Sequence, residues 1–243
     1  MKFGFLATID APLLPLLIES AVRNGVHNIC VICDSRTNSK KDMTIWKERT
    51  RGELDANKDG NLNIYKNYGS NIPFFFVENN NSRQTTALIQ DLRVDCLLNA
   101  GTPRKLSNSL LESVKNGVVN VHPGLLPGYR GCTAVEWAIY NDEKIGNTAH
   151  FMNSGYDAGP IIESEDYIFP RSVDYQSIRI HVYREGCALA GKVLRKIQET
   201  NMSPCDATPQ DEDHSRYWSP IPDEKMKIVL SKVNNGAYKY QCL

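Results

Sequence analysis

An asparagine, a histidine and an aspartate stand where they could act together on a carbonyl group. Asn120 and His122 lie two residues apart, where an apolar run leads into the string NVHPGLLPGYRG. Asp157 follows further along the chain in the turn GYDAGP. An amide can polarise a carbonyl, an imidazole can move a proton, and a carboxylate can hold the imidazole in one orientation. Each residue alone is typical of a turn or a packed core, whereas the three in this spacing favour a catalytic site.

Short apolar runs alternate with longer helical patterns along most of the chain. Strands are predicted at 3–9, 28–34, 74–77, 96–98, 118–121, 148–152 and 160–169. Helices are predicted at 12–24, 40–57, 84–93, 107–115, 133–141 and 176–200, with Ser107 as an N-cap. This alternation is typical of an α/β fold, an open and mostly parallel sheet with helices on both faces. Ligands of such sheets bind at the carboxyl ends of the strands, where Asn120 and His122 would lie.

The pattern changes beyond residue 200. Four prolines interrupt the segment 201–243, and the acidic run 211–213 is expected to be exposed. We therefore expect a catalytic domain at 1–200 and a tail or small C-terminal appendage at 201–243.

Composition narrows the class of protein further. The 28 basic and 28 acidic residues leave no basic excess, which argues against a general nucleic-acid-binding protein. No apolar run is long enough to span a membrane, and the apolar start stops at Asp10, which favours a buried strand over a signal sequence. Seven scattered cysteines favour buried thiols in a reducing compartment. We expect a cytoplasmic protein that binds neither nucleic acid nor membranes.

The two motifs resemble those of the formyl-tetrahydrofolate-dependent formyltransferases, a family that includes glycinamide ribonucleotide, methionyl-tRNA and sugar N-formyltransferases. The likeness is dense between residues 95 and 162. It implies a Rossmann-like sheet and 10-formyl-tetrahydrofolate as the formyl donor. It also implies that Asn120 donates to the developing oxyanion and that His122 polarises the carbonyl or handles a proton. Asp157 would hold the His122 tautomer, order a water and assist proton transfer; which group takes the amine proton stays open.

The resemblance also implies a folate site. The segment 99–106 is similar to the one whose backbone lines the pterin pocket, and the segment 152–156 would form the opposite wall. The cofactor-binding residues implied are Ala100, Gly101, Arg104, Lys105, Leu106, Met152, Asn153, Gly155 and Tyr156. No metal site is implied. The chain departs from the family at Gly124, where many relatives carry serine, and at Lys105, which replaces an apolar residue common in the purine enzymes.

The acceptor of the formyl group is less constrained. The loop 7–12 lacks the glycine-rich phosphate loop of the purine enzymes. The segment 201–243 is short, with five basic and six acidic residues, which argues against a tRNA-binding domain. The segment 131–142 is similar to sugar N-formyltransferases, whose acceptors are nucleotide-linked amino-deoxy sugars for surface polysaccharides such as lipopolysaccharide O-antigen. Tyr217 and Trp218 could stack on a base or anchor the tail.

We therefore expect a dTDP- or GDP-linked 4-amino-4,6-dideoxyhexose as acceptor and a homodimer as one option for the assembly. A phosphoribosylglycinamide formyltransferase, a formyl-tetrahydrofolate hydrolase and a non-catalytic folate-binding module stay open as alternatives.

Two further patterns imitate metal or redox sites. The segment 55–66 resembles an EF-hand loop, but Lys66 stands where calcium needs a bidentate glutamate, which favours a polar loop. Cys30 and Cys33 have the spacing of a redox or zinc pair, yet they lie in an apolar run without a second pair, which favours buried thiols.

Overall fold

The computed structural model describes residues 1–54, 72–102 and 104–242. Its strands are β1 Phe3–Thr8, β2 Ile29–Asp34, β3 Phe74–Val77, β4 Cys96–Asn99, β5 Val118–His122, β6 Arg130–Gly131, β7 Ile145–Phe151, β8 Ile161–Tyr167 and β9 Tyr217–Trp218. Its helices are α1 Leu14–Arg23, α2 Lys40–Thr50, α3 Arg83–Asp91, α4 Asn108–Leu111, α5 Ala134–Tyr140, α6 Tyr175–Thr200 and α7 Asp223–Asn234. The EF-hand-like segment lies outside the described residues. The helix predicted over 40–57 ends at Thr50, because Arg51 takes a left-handed backbone with a φ of 52°.

The main sheet has seven strands in the order β3-β2-β1-β4-β5-β7-β8. The first five run parallel to one another, whereas β7 runs antiparallel to both β5 and β8. Each crossover between successive parallel strands contains a helix, whereas the loop 152–160 joins the antiparallel strands β7 and β8. The predicted open, mostly parallel α/β sheet is confirmed.

Hydrophobic side chains cover both faces of the sheet. One cluster joins β1 to α1 and α6 through residues such as Phe5, Ile18 and Val193, and another joins β1 to α3 and α4 through Leu6, Ile89 and Leu110. The helices α3, α4 and α6 begin at side-chain caps, and Ser107 is the N-cap of α4 as predicted. The layers hold the sheet rigidly, so the polar groups at its carboxyl edge have fixed positions.

A third cluster includes the segment 201–243. Trp218, Val229, Val233 and Tyr238 pack with Trp137 and other side chains of α5 and α6. The β6 and β9 strands form a separate two-stranded ladder that joins this segment to the residues just after His122. The division of the chain at residue 200 stays a prediction, but the segment beyond it packs against the part that carries the motif.

The β7 strand begins three residues earlier than predicted. Gly146 and Asn147 interrupt the apolar pattern there, but each fits its place in the sheet for a specific reason. A side chain at position 146 would clash with the Glu165 carbonyl, since its Cβ would lie 2.2 Å from that oxygen. The buried Asn147 amide donates to the Val182 carbonyl at 2.8 Å and to the Tyr167 hydroxyl at 2.9 Å.

Two further observations concern the described residues. None of their helices is long and apolar enough to cross a bilayer. Cys30 and Cys33 lie buried in β2, where burial raises the pKa of each thiol to about 11, so both stay protonated near neutral pH.

Candidate active site

The predicted catalytic residues meet at the carboxyl edge of the sheet. Asn120 and His122 are on β5 with one residue between them, so their side chains leave the same face of the strand. Asp157 lies in the turn between β7 and β8, and its Oδ2 is 3.5 Å from Nδ1 of His122. The structure therefore brings His122 and Asp157 together, and Asn120 lies two residues before His122 on the same strand.

The His122 ring is buried and its orientation is fixed by the backbone. Its Nε2 lies 2.6 Å from the carbonyl oxygen of Tyr129. Because a carbonyl oxygen can only accept, Nε2 carries the hydrogen, and Nδ1 is the nitrogen that faces Asp157. A Cβ at Gly124 would lie 2.8 Å from Nε2, so the absence of a side chain there gives the ring room. His122 thus presents the lone pair of Nδ1 towards the Asp157 carboxylate.

The Asp157 turn is held by several backbone contacts. Asp157 has a φ of 50°, in the left-handed region that few non-glycine residues adopt. Its Oδ2 accepts a hydrogen bond from the Gly131 amide at 2.9 Å. The Gln210 side chain donates to the carbonyls of Asp157 and Gly159. A Cβ at Gly159 would lie 1.8 Å from the Phe151 carbonyl oxygen, so only glycine lets the turn approach β7.

The Asn120 amide is oriented from both ends. Its Oδ1 accepts from Nδ2 of Asn99 at 3.1 Å, and its Nδ2 lies 3.2 Å from Nε2 of His150. Nδ1 of His150 is 2.9 Å from the Phe151 carbonyl oxygen, so Nδ1 carries the hydrogen and Nε2 accepts from Asn120. An amide nitrogen has two hydrogens, so Asn120 keeps one that can be donated to a carbonyl oxygen in the site.

His150 is a site residue that the sequence analysis missed. It lies on β7 opposite Asn120 in the antiparallel register. Burial lowers the pKa of His150 to about 4, with the Asp157 carboxylate opposing the effect, so the ring is neutral near pH 7. A histidine within an apolar strand that leads directly into the GYDAGP turn was the available signal.

Two predicted folate-binding segments approach each other. Leu106 and Met152 pack in the same hydrophobic cluster. Lys105 places its Nζ 4.5 Å from the centre of the Tyr156 ring, which links the two predicted walls. Tyr156 is 59% exposed.

The other predicted folate-binding residues lie in the same two segments. Asn153 and Gly155 are exposed in the turn before Asp157, where the Asn153 side chain accepts from the Gly155 amide at 2.9 Å. Gly101 is exposed with a φ of 100°, and it follows the buried Ala100 at the end of β4. Pro103, in the same segment, lies outside the described residues.

The Arg104 side chain binds a buried carboxylate. Its Nε and Nη2 donate to the two oxygens of the buried Asp34 at 2.6 and 3.1 Å. Although burial alone would raise the pKa of Asp34, hydrogen bonds from Arg104 and from the Asn80 and Arg36 amides lower it below the ordinary value. Arg104 therefore neutralises a buried carboxylate, and its guanidinium is occupied by that contact.

A cavity of about 230 Å³ opens beside the site. Its lining residues are Pro12, Leu13, Asn38, Asp42, Met43, Trp46, Ala100 and Gly101. Asp10 ties the loop after β1 to the loop after β2, since its two oxygens accept from the Asn38 amide at 2.9 Å and from the Asn38 side chain at 3.1 Å. The buried Nε1–H of Trp46 has no acceptor among the described residues.

Comparison with known proteins identifies the family of this site. The family model described as Formyl transferase matches residues 1–173. A curated methionyl-tRNA formyltransferase of Clostridium tetani (strain Massachusetts / E88) is 28% identical over 148 residues, which are 60% of this chain and 46% of that protein. The chain thus spans about half the length of the curated relatives it matches.

Solved structures share the fold at low sequence identity. Glycinamide ribonucleotide transformylase 1 from Symbiobacterium toebii has a TM-score of 0.60 at 21% identity, covering 82% of this chain and 88% of that one. A sugar N-formyltransferase from a Shewanella species has a TM-score of 0.61 at 15% identity, covering 96% of this chain and 88% of that one. The family match over residues 1–173, on a fold shared with these enzymes, shows that the chain belongs to the formyl transferase family.

Proposed function

We propose that this chain is an N-formyltransferase that moves a formyl group from 10-formyl-tetrahydrofolate to an amine. The observation that carries the proposal is the convergence of an oriented amide, an imidazole and a carboxylate at the edge of the sheet, with His122 Nδ1 and Asp157 Oδ2 3.5 Å apart. The folate would supply an activated formyl carbonyl. The residues present fit a flat ring, because Gly101 leaves the backbone after β4 without a side chain and the apolar side chains of Leu106 and Met152 pack in one cluster.

In this mechanism Asn120 donates its free amide hydrogen to the formyl oxygen as negative charge develops there. Because Asn99 and His150 already hold the amide, little reorientation is needed when the charge appears, and this preorganisation is what makes such donors effective. The attacking amine must also lose a proton. His122 Nδ1 and the Asp157 carboxylate are the groups placed to accept it and to pass it to the departing folate nitrogen.

We further propose that the acceptor is the amine of a nucleotide-linked amino-deoxy sugar. The loop after β1 places the Asp10 carboxylate where the purine enzymes carry a glycine-rich phosphate loop, and Asp42 adds a second carboxylate at the cavity. None of the described residues that line this cavity is a lysine or arginine, so the cavity disfavours a phosphate and would take the sugar ring, with the diphosphate of the acceptor outside it. The Trp46 ring at the cavity instead suits the apolar face of a sugar.

The solved sugar N-formyltransferase shares its fold with 96% of this chain, including most of the segment beyond residue 173. That likeness supports an arrangement in which this segment belongs to the working enzyme. The choice of a sugar acceptor depends on the chemistry of the cavity and not on the likeness.

Mass spectrometry of candidate acceptors incubated with the protein and 10-formyl-tetrahydrofolate tests both proposals. The panel contains dTDP- and GDP-linked 4-amino-4,6-dideoxyhexoses, glycinamide ribonucleotide, methionyl-tRNA and a sample without acceptor. We expect a formyl gain on one nucleotide sugar and none with the His122→Ala protein. The exposed His214 gives a matched control, and His214→Ala should keep the activity.

The other outcomes would contradict the proposal in distinct ways. A gain only on glycinamide ribonucleotide or methionyl-tRNA would replace the sugar acceptor but keep the reaction. Folate consumption without an acceptor would indicate a hydrolase. No consumption with any member of the panel would favour a non-catalytic folate-binding module.

A further inference from the structure

We infer that Gln210 is a positioning residue that holds the Asp157 turn in its working geometry, so that the segment beyond residue 200 completes the active site. The inference rests on the proposed function for its catalytic consequence. The contacts themselves are independent of it. Gln210 lies well outside the residues that the family model matches.

All polar atoms of the Gln210 side chain are engaged. Its Nε2 donates to the Asp157 carbonyl at 2.8 Å and to the Gly159 carbonyl at 2.7 Å. Its Oε1 accepts from Nε of Arg130 at 2.9 Å. Because carbonyls only accept and a guanidinium only donates, the amide satisfies all three partners in one orientation alone. Gln210 therefore links the backbone of the Asp157 turn to the Arg130 side chain.

Arg130 belongs to the motif that contains His122, so its hydrogen bond to Gln210 connects that motif to the Asp157 turn. The Arg130 guanidinium is 9% exposed, and it donates through both Nη atoms to the Glu212 carboxylate at 2.7 and 2.9 Å. Such a paired geometry holds the guanidinium in one plane. The Arg130 amide also donates to the Arg216 carbonyl at 3.0 Å, within the β6–β9 ladder.

The catalytic pair depends on the position of the turn because its own contacts are few. Among the described residues, the Asp157 carboxylate accepts one short hydrogen bond, from the Gly131 amide, while its oxygens lie 3.5 Å from His122 Nδ1 and 3.7 Å from His150 Nε2, at the limit of direct contact. The left-handed backbone at Asp157 must be imposed by its surroundings. If the Gln210 contacts are lost, the turn can relax and the carboxylate can leave His122.

Two substitutions remove the donor without removing the bulk of the side chain. Gln210→Glu keeps an oxygen for Arg130 but faces the two carbonyls with a carboxylate oxygen. Gln210→Met removes every polar atom at similar length. Asp211→Asn is the matched control, since the exposed Asp211 side chain contacts only its neighbours Asp213 and His214 among the described residues.

Amide hydrogen exchange tests the positioning role without any assay of activity. The Gly131 amide should exchange about tenfold faster in Gln210→Met, because its acceptor on Asp157 moves. The Val119 amide, in the middle of β5, reports global opening and should be unchanged. A uniform acceleration at both amides, or no acceleration at Gly131, would overturn the inference.

Kinetics test the catalytic consequence with the acceptor that the panel identifies. We expect kcat to fall by about 100-fold in both variants, the order of loss that a misplacement of about 1 Å produces, while KM for the formyl donor stays within about twofold. Asp211→Asn should match the unsubstituted protein. A full kcat in a folded Gln210→Glu protein would refute the role of Gln210, whereas an inactive unsubstituted protein would refute the proposed function and leave the exchange result standing.

Discussion

Replacement of His150 should remove one identifiable part of the pH dependence of stability. The ring is buried beside Asn120, and burial lowers its pKa to about 4 from an ordinary value of 6.5. Between these values the unfolded chain binds a proton that the folded protein does not. Stability from this group is therefore complete above pH 6.5 and is lost as the pH falls towards 4.

The size of the effect follows from the two pKa values. At pH 5 the unfolded histidine is almost fully protonated, whereas the folded one is mostly neutral. The linkage relation then gives a loss of about 2 kcal/mol in the free energy of unfolding between pH 7 and pH 5 from His150 alone. In His150→Gln, which keeps an acceptor for the Asn120 amide and does not titrate, this contribution should disappear.

Urea unfolding at pH 7 and pH 5, on the unsubstituted protein and on His150→Gln, measures the difference directly. The pH dependence from groups remote from His150 is common to both proteins and cancels, whereas Asp157 and His122 interact with the ring and contribute to the measured difference. An equal loss of stability in the two proteins would refute the assignment of His150 as a buried neutral ring. His150→Leu should in addition lower kcat by about 10- to 100-fold, because Asn120 loses the acceptor that orients its donor.

Three further substitutions test other contacts. Arg104→Met should lower the free energy of unfolding by about 3 kcal/mol, because it leaves the buried Asp34 carboxylate without the guanidinium that neutralises it. KM for the formyl donor should not change. A raised KM at unchanged stability would instead place Arg104 in the folate site. Gly159→Ala should destabilise the protein by about 3 kcal/mol in urea unfolding, because the added Cβ would overlap the backbone of β7. Gly128→Ala is the control and should have little effect, since there is open space around that position. Equal effects of the two substitutions would contradict the close approach of the Asp157 turn to β7. Tyr156→Ala should raise KM for the formyl donor severalfold with kcat nearly constant, and an unchanged KM would remove Tyr156 from the folate wall.

The sheet could be predicted because strand and helix periodicity are local properties of the chain. The edge that carries Asn120 and His122 followed from the same pattern, since a parallel sheet places the ends of its strands together. The early start of β7 could not be predicted in this way, because Asn147 is stabilised in the strand by partners far away in the chain. The hydrophobic pattern of a short sequence window does not show hydrogen-bond partners that lie elsewhere in the chain.

The details of the site were harder to predict for a related reason. His150 becomes part of the site only through its antiparallel register with Asn120. The assignment of Arg104 to the folate wall stays a prediction, and the sequence did not show that its guanidinium binds Asp34, seventy positions earlier in the chain. Both outcomes depend on pairings between distant segments, and a single sequence carries little information about those pairings.

The β6–β9 ladder also has a consequence for the order in which the molecule folds. Its contacts join residues more than eighty positions apart, as in the hydrogen bond from the Trp218 indole to the Gly128 carbonyl at 2.9 Å. Sequence separation alone does not order the steps, because β1 and β4 pair across a similar distance, but residues 210–218 are synthesised after every strand of the main sheet. We therefore expect a nascent chain to form its parallel sheet before residues 210–218 dock, and to gain a competent Asp157 turn only in that last step.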